Sequence, residues 1–248
     1  VYEGFQKVLK SNKKTDAPAA ERLAILIDPD YGQMILNNFA DAAYTIGVPI
    51  EKASSFPVSW LMEDSLYQHL LERPATWFVK VLWRFHLQMN QENKDIQLSQ
   101  LHKLNSVCVA LKRKLMVELI IPEGYLETGT TLGEAMAEVY EAGIYPFWWK
   151  ITALDSKEEW QTMTKTLDQY DPEVGVIILG KNAPIEQFQT WFRVARSTPH
   201  TCGFAVGRSI FWEPWEQYVG GKLTIKGIAD AVAERYNSVL EIWSKTLD

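Results

Sequence analysis

The residues 174–195, "VGVIILGKNAPIEQFQTWFRVA", contain the pattern that decides the fold. A short and almost continuously apolar run comes first, and apolar residues then recur at every third or fourth position. The run is typical of a strand covered on both faces, whereas the spacing is typical of a helix with one buried face. A strand followed by its covering helix is the repeating unit of a parallel sheet. The stretch therefore predicts a parallel α/β fold.

The same alternation extends over the rest of the chain. Six further apolar or β-branched runs are predicted as strands, at residues 23–28, 45–52, 76–85, 114–124, 145–152 and 202–211. Helices are predicted at residues 33–44 and 96–114, among others, and at the end of the chain. The inner stripe of the last helix is predicted to consist of Ile225, Ile228, Val232, Tyr236, Val239 and Trp243. Seven strands alternating with helices indicate one parallel sheet covered by helices.

Two architectures fit this alternation, an open doubly wound sheet and a (β/α)8 barrel. No glycine-rich nucleotide-binding turn follows the first predicted strand, which argues against the doubly wound sheet. Seven units are one fewer than a barrel needs, and the opening residues "VYEGFQKVLKSN" indicate a helix with no strand before it. We therefore expect a (β/α)8 TIM barrel that forms one domain over residues 1–248 and whose first strand lies upstream of Val1.

Composition narrows the classes of partner. Of the 248 residues, 47% are hydrophobic and 23% are charged, as is usual for globular proteins. The net charge of -6 and the pI near 5.4 argue against nucleic acid or an anionic membrane as a partner. No apolar run is long enough to span a membrane, and the first residues lack the apolar core of a signal peptide. We expect a cytoplasmic protein with a small-molecule partner, and the sequence leaves its oligomeric state open, a homo-oligomer included.

The cysteines and histidines do not form a recognisable site in the sequence. Cys108 and Cys202 are too few for a disulfide framework, so both are expected to be buried apolar thiols. The four histidines have no pair at metal-ligand spacing and are expected at the surface or in loops. The sequence therefore predicts no metal site.

Charged side chains inside apolar strands are the candidates for chemistry. Lys80 and Arg84 share one face of their strand, and Glu118 and Lys150 each stand alone in an apolar run. In a barrel, such inward side chains near the carboxyl ends of the strands build the active site. Burial and a neighbouring cation both lower the pKa of a lysine, and a neutral amine attacks ketones. Lys150 is therefore a candidate nucleophile, Glu118 a candidate acid-base residue, and Lys80 an electrostatic partner. The alternative is that these residues are partners in buried ion pairs that hold the barrel together.

The last two predicted strands end in segments suited to a phosphate. Loops after the seventh and eighth barrel strands often hold a phosphate through backbone N–H groups. Gly180, Gly207, Arg208 and Ser209 lie at these strand ends and are residue types that permit such contacts. Together with the interior lysines, they indicate a sugar phosphate as the ligand.

Several segments resemble a known family in their order and spacing. They are "FVKVLWRF", "LMVELIIP", "EAGIYPFWWKI", "GVIILGKNAP" and "GFAVGRSIFWEPW". Together they resemble the class I aldolases of the 2-deoxy-5-keto-gluconate-6-phosphate type, which act in myo-inositol catabolism. The segments "LIDPDYG" and "PIEKASS" are more distantly similar to class I tagatose-1,6-bisphosphate aldolases. The resemblance implies a (β/α)8 barrel, a Schiff-base mechanism and no cofactor or metal.

The resemblance also implies roles for individual residues. It places the Schiff-base lysine at Lys150, the strand glutamate at Glu118 and the second strand lysine at Lys80. It further assigns substrate contacts to a glutamate–lysine pair and to the glycine–arginine pair of the last strand. These residues are Glu51, Lys52, Gly207 and Arg208. The implied products are dihydroxyacetone phosphate and malonate semialdehyde.

Two alternatives to the aldolase remain open at this stage. One is a different sugar-phosphate lyase or isomerase on the same barrel, because a fold does not fix a reaction. The other is a catalytically silent barrel that serves as a regulatory partner of a sugar kinase. An unpaired barrel edge without the aspartate of the family's first strand would favour this second alternative.

Overall fold

The computed structural model describes residues 1–12, 23–37, 44–62 and 65–246. The seven strands of these residues form one parallel sheet whose order in space is their order in the chain. The strands are β1 (Ala24–Leu26), β2 (Thr45–Pro49), β3 (Phe78–Arg84), β4 (Leu115–Ile120), β5 (Trp148–Thr152), β6 (Gly175–Leu179) and β7 (Thr201–Ala205). The sheet curls into a half-barrel, so the predicted TIM-barrel type of α/β fold is confirmed.

Helices precede or follow the strands. In the described ranges they are α1 (Tyr2–Asn12), α2 (Pro29–Asn37), α3 (Leu66–Leu71), α4 (Gln91–Ala110), α5 (Gly129–Glu141), α6 (Lys157–Tyr170), α7 (Gln187–Ala195), α8 (Arg208–Val219) and α9 (Ile225–Lys245). Four of them begin at a side chain that accepts a hydrogen bond from the first turn, namely Asn90, Thr128, Ser156 and Thr224. Such caps satisfy backbone N–H groups that have no partner inside the helix, and so fix where each helix starts.

The apolar core lies between the outer face of the sheet and the helices. Alternate residues of β3, β4 and β5 point outward, and the large ones among them, such as Trp83 and Trp149, are fully buried. They form one continuous apolar cluster with buried residues of α4 to α7, for example Leu104 and Phe188. Because this cluster holds the outer side chains in place, the alternate residues of each strand are directed to the concave inner face of the sheet.

Two aromatic rings close the lower part of that inner face. Phe78 at the start of β3 and Trp148 at the start of β5 meet edge to face, with ring centroids 5.5 Å apart. Glycines make room for both rings. A Cβ at Gly47 would overlap the Phe78 ring, and one at Gly175 would lie 2.8 Å from Cδ1 of Trp148. The inner face therefore has an apolar floor at the amino ends of its strands.

Helix α1 packs between the start of the sheet and the last helix. Phe5 packs with Leu23, which directly precedes β1, and with Ala233 of α9 in one apolar cluster. The ring of Phe5 also stacks on Tyr236, with centroids 6.4 Å apart. The contact is close because a Cβ at Gly4 of α1 would lie 2.8 Å from the side chain of Val232. Packing of α1 between the first strand and the last helix therefore supports the curl of the sheet.

Several sequence predictions were wrong in detail. The strand predicted at residues 202–211 ends at Ala205, and α8 begins at Arg208 and contains Pro214. This helix was missed because its first residues were assigned to the predicted strand. Ile225, predicted on the inner stripe of α9, is 66% exposed because it occupies the first turn. The predicted continuation of the second helix through residues 38–43 lies outside the described residues.

One cysteine prediction also needs correction. Cys108 is buried as expected, but Cys202 is exposed on β7. His86 and His200 lie in loops, which the prediction allowed, and both are buried. His200 is accommodated because its two ring nitrogens lie 3.0 Å from the carbonyl oxygen of Val174 and 3.0 Å from Oδ1 of Asp168. Across the part of the chain described here, no helix combines the length and apolarity that a bilayer span needs.

The aromatic floor gives a direct test of the inner packing. Gly47→Ala is expected to lower the free energy of unfolding by about 1–3 kcal/mol, because the new methyl group overlaps the buried Phe78 ring. The matched control is Gly203→Ala in the same sheet, where a Cβ would meet no atom within 4 Å. Urea unfolding of both variants measures the difference, and equal stabilities would show that the floor is not tightly packed.

Candidate active site

Four charged side chains meet on the inner face, directly above the aromatic floor. Lys80 lies two residues beyond Phe78 on β3, and Lys150 two residues beyond Trp148 on β5. Glu118 of β4 is in register with Lys150, so these two side chains are neighbours across the strands. Nζ of Lys150 lies 3.0 Å from Oε1 of Glu118, and Nζ of Lys80 lies 2.8 Å from Oε2. Glu118 therefore bridges the two lysines, one with each carboxylate oxygen.

A second carboxylate holds only one of the lysines. Oε1 of Glu51, which lies just beyond β2, is 2.7 Å from Nζ of Lys80. The other oxygen of Glu51 accepts a hydrogen bond of 3.2 Å from the backbone N–H of Ile50. Glu51 was predicted to bind substrate, and the structure places it as an ion-pair partner of Lys80. The cluster of Glu51, Lys80, Glu118 and Lys150 is called the ion cluster below.

The ion cluster is almost fully removed from solvent. Lys80, Glu118 and Lys150 are each 6% exposed. Burying a charge is unfavourable unless an opposite charge and hydrogen bonds replace water. Lys80 contacts two carboxylates, those of Glu51 and Glu118, whereas Lys150 contacts only the Glu118 carboxylate, which Lys80 also contacts. The positive charge of Lys80 is therefore better compensated than that of Lys150, although both lysines contact the same glutamate.

The pKa shifts of the cluster follow from this asymmetry. Burial lowers the pKa of Lys150 and the Lys80 ammonium lowers it further, so that it stays below its ordinary value although Glu118 and, more weakly, Glu51 raise it. Burial also disfavours the charge on Lys80, but Glu51 and Glu118 outweigh it and raise the Lys80 pKa. For Glu118, burial is outweighed by the two lysines, which hold its pKa below the usual range. The cluster thus pairs a lysine that loses its proton more readily with a carboxylate that stays ionised.

This arrangement has the parts that imine chemistry requires. An uncharged amine is a nucleophile towards a carbonyl carbon, and burial increases its uncharged fraction. A carboxylate in contact with that amine accepts and returns protons during the addition and loss of water. The second lysine supplies a fixed positive charge 2.8 Å from the same carboxylate. Within the described ranges, no three His, Cys, Asp or Glu side chains gather in a way that could hold a metal ion.

Two further polar side chains lie nearer the carboxyl ends of β3 and β5. Arg84 ends β3 and is half-buried, and its Nη1 donates a hydrogen bond of 3.3 Å to the carbonyl oxygen of Ser55. Thr152 ends β5 on the same face as Lys150 and is 6% exposed. Thr152 was not predicted as a site residue, although it stands at the period-two position from Lys150. Lys52, which was predicted, is exposed in the segment that follows Glu51.

The predicted phosphate residues lie together at the ends of β6 and β7. Oγ of Ser209 donates a hydrogen bond of 3.4 Å to the carbonyl oxygen of Gly180, which ties the two strand ends to each other. Gly207 is the N-cap of α8 and carries no side-chain cap, and the exposed Arg208 begins the helix. A hollow of about 340 Å³ lies beside them, bordered by Asn182, Arg208, Ser209 and Arg235 among others. Arg235 is paired with Glu213, and the carboxylates Glu186 and Glu213 also border the hollow. The uncapped start of α8 and the exposed Arg208 are therefore the features suited to an anion.

Gly180 has a packing reason of its own. A Cβ there would lie 3.2 Å from Val206 and 3.3 Å from Phe188. A side chain would therefore press on both neighbours whether or not a ligand is bound. The buried Ser209 likewise has a structural role for its hydroxyl, which donates to the carbonyl oxygen of Gly180. Of the predicted phosphate residues, Gly207 and Arg208 remain without such an alternative.

The asymmetry of the two lysines predicts opposite effects on stability. Lys80→Met leaves Glu51 without its cation in a buried site, and the free energy of unfolding should fall by about 3–5 kcal/mol. Lys150→Met removes a disfavoured charge and leaves Glu118 paired with Lys80, so its stability at pH 7 should match or exceed that of the wild type. Urea unfolding of the two variants measures this, and equal losses would contradict the asymmetry.

The pH dependence of stability has a defined sign for Lys150. Its folded-state pKa lies below the ordinary value of 10.5, so the unfolded chain binds more protons between the two values. The contribution of Lys150 to stability is therefore unfavourable at neutral pH and is relieved as the pH rises towards 10.5. Lys150→Met should lack this rise, which separates its effect from that of a simple loss of packing.

Comparison with known proteins places the chain within a family and a fold. A Coccidioides immitis protein assigned as a fructose-1,6-bisphosphate aldolase superposes with a TM-score of 0.62 at 16% identity, over 98% of this chain and 86% of that chain. The fructose-bisphosphate aldolase of Plasmodium falciparum superposes with a TM-score of 0.64 at 12% identity, over 90% and 77% of the two chains. That of Slackia heliotrinireducens gives 0.60 at 10% identity, over 90% and 72%. These likenesses establish the fold.

No protein with a curated description matches the sequence. One family model does, and it covers residues 5–247, which include all seven strands and the whole ion cluster. The chain belongs to the family described as "Uncharacterized protein conserved in bacteria (DUF2090)".

Proposed function

We propose that the protein is a Schiff-base aldolase that cleaves a phosphorylated keto sugar. The observation that carries this proposal is the contact of Lys150, a buried lysine with a lowered pKa, with the ionised Glu118 on the inner face of the half-barrel. The fold shared with structures named as fructose-bisphosphate aldolases supports the proposal at the level of architecture. Fold alone does not select a reaction, so the argument rests on the ion cluster.

Lys150 is the nucleophile in this proposal and Lys80 is not. Two carboxylates and a raised pKa keep Lys80 as an ammonium, which has no lone pair for attack. Lys150 has one carboxylate neighbour and a lowered pKa, so its free amine is more populated. The charge of Lys80 then serves to depress the pKa of Lys150 and to stabilise negative charge on the substrate oxygen.

Formation of the imine requires a proton donor and acceptor within reach of Lys150. The amine adds to the ketone carbon, and its proton passes to the Glu118 carboxylate, which lies 3.0 Å away. The protonated Glu118 then returns that proton to the alkoxide oxygen, which gives the neutral carbinolamine. A second proton, taken up from solvent by Glu118, passes to the carbinolamine hydroxyl, which leaves as water. The product is a positively charged iminium in a site that retains the two carboxylates Glu51 and Glu118 against the one cation Lys80. The charge of the intermediate is thereby balanced.

Cleavage uses the same groups. A carboxylate removes the proton of the hydroxyl on the carbon beyond the bond that breaks, and the carbon–carbon electron pair moves to the iminium, which becomes an enamine. An aldehyde leaves as the first product. Protonation of the enamine carbon and hydrolysis of the iminium release the ketone product and restore the Lys150 amine. In this proposal Glu118 transfers these protons in turn, and its contact with Lys150 supports that role.

The substrate phosphate is assigned to the start of α8. Gly207, Arg208 and Ser209 offer an uncapped helix start and a guanidinium beside a hollow at the strand ends. Arg84, half-buried on β3 with a backbone carbonyl as its hydrogen-bond partner, is available for a second anionic group of the substrate. The resemblance in sequence suggests 2-deoxy-5-keto-gluconate 6-phosphate, which would give dihydroxyacetone phosphate and malonate semialdehyde.

Borohydride trapping tests the proposed nucleophile. Incubation with dihydroxyacetone phosphate and borohydride should reduce an imine to a stable secondary amine, and peptide mass spectrometry should locate it on Lys150. Lys150→Met should give no adduct while remaining folded. Lys150→Arg is the matched control that keeps a charge without a nucleophilic amine. An adduct on another lysine, or none on the wild type, would contradict the proposal.

Glu118→Gln tests the proton transfers and has two expected effects. Turnover should slow by about 10²-fold or more, because an amide cannot exchange the protons. The Glu118 charge raises the pKa of Lys150, so its removal should shift the pH dependence of imine formation to lower pH. Trapping yield as a function of pH measures this shift. An unchanged rate and an unchanged pH dependence would leave Glu118 as a structural partner only.

A further inference from the structure

Thr152 occupies the position on β5 next to Lys150 on the same face. It lies two residues further along the strand, which places its Cα about 6.5–7 Å from that of Lys150 in the direction of the carboxyl end. Its side chain is directed to the interior and is 6% exposed. Its register partner on β6 is Leu179, which has no polar side-chain group to offer.

The hydroxyl of Thr152 has no hydrogen-bond partner among the residues that the structure describes. Buried threonines elsewhere in the fold are satisfied. Thr164 of α6, which is also 6% exposed, donates to the carbonyl oxygen of Gln161, and Thr198 donates to that of Ala195. A buried hydroxyl without a partner is unfavourable, and valine has the same shape without that penalty. Thr152 therefore differs from these two buried threonines in having an unpaired hydroxyl, and it lies beside Lys150, where the proposed substrate would bind.

The aromatic floor determines the direction in which a bound substrate can extend from Lys150. Phe78 and Trp148 fill the inner face below the ion cluster, so a molecule held on Nζ of Lys150 cannot extend towards the amino ends of the strands. It extends towards the carboxyl ends instead and passes Thr152. A substituent on the carbon next to the imine carbon then comes within reach of the Thr152 hydroxyl.

We propose that Thr152 is a specificity-determining residue whose hydroxyl binds the hydroxyl group on the carbon next to the substrate carbonyl. The proposal rests on the proposed Schiff-base function and adds a substrate class to it, namely ketones that carry a hydroxyl on the neighbouring carbon. The hydrogen bond fixes rotation about the bond between that carbon and the imine carbon. It also satisfies a buried group that the folded protein leaves unpaired.

Two probes that differ in one hydroxyl test this contact. Dihydroxyacetone phosphate has the hydroxyl next to its carbonyl, and hydroxyacetone phosphate has a hydrogen in its place. For each probe, the concentration that gives half-maximal borohydride adduct on Lys150 is measured. The wild type should favour dihydroxyacetone phosphate by about 2- to 10-fold, the range expected for one hydrogen bond. Thr152→Val should reduce this preference to about 1-fold, and Thr152→Ser, which keeps a hydroxyl, should retain it.

Controls separate the contact from a structural effect. Thr164→Val, at an equally buried threonine on α6, should leave the preference unchanged. Thr152→Val should unfold at the same urea concentration as the wild type or a higher one, because it removes an unsatisfied group. A lower midpoint would assign the hydroxyl to a structural bond and overturn the proposal.

The outcomes also distinguish this proposal from the function on which it rests. An adduct on wild-type Lys150 together with an unchanged preference in Thr152→Val would overturn the role of Thr152 alone. A wild type that forms the adduct without preferring dihydroxyacetone phosphate would do the same. Absence of any adduct with either probe would overturn the Schiff-base function and the role of Thr152 with it.

Discussion

The electrostatic imbalance of the ion cluster is the constraint on which the rest of the structure depends. Two lysines share one bridging carboxylate, and the second carboxylate touches only Lys80. One lysine is thereby fixed as a cation, and the pKa of Lys150 is lowered. A fold selected only for stability would place apolar side chains at these buried positions, because buried ion pairs seldom stabilise more than a well-packed apolar group does. A role in function therefore accounts for the buried charges better than a role in stability does.

The surrounding fold keeps this imbalance in place. Outward side chains such as Trp83 and Trp149 anchor the strands under their helices and so fix which residues point inward. The aromatic floor of Phe78 and Trp148 closes one end of the interior, and glycines in neighbouring strands make room for it. The floor blocks approach to Lys150 from the amino ends of the strands. The phosphate candidates and Thr152 lie at the carboxyl ends.

Much of the fold and part of the candidate site could be predicted from the sequence. Periodicity predicted the parallel strands, and strand parity put Lys80 and Arg84 on one face of β3. Glu118 and Lys150 were expected to join Lys80 because charged side chains inside apolar barrel strands point to the interior. Helix α8 was missed because its first residues were assigned to the end of the last predicted strand. The pairing of Glu51 with Lys80 could not be read from periodicity, since Glu51 lies beyond the end of β2 and its position depends on where the chain turns. Whether a particular hydroxyl finds a partner likewise depends on three-dimensional neighbours.

The measurement that tests the central claim most directly is the titration of the two buried lysine amines, for example by NMR of a protein labelled at the lysine side chains and assigned with Lys80→Met and Lys150→Met. The account predicts that Lys150 titrates below the ordinary pKa of 10.5 and that Lys80 titrates above it. If Lys150 titrated at or above 10.5, or at a higher pH than Lys80, its amine would be no better a nucleophile than that of a surface lysine, and the account would be contradicted.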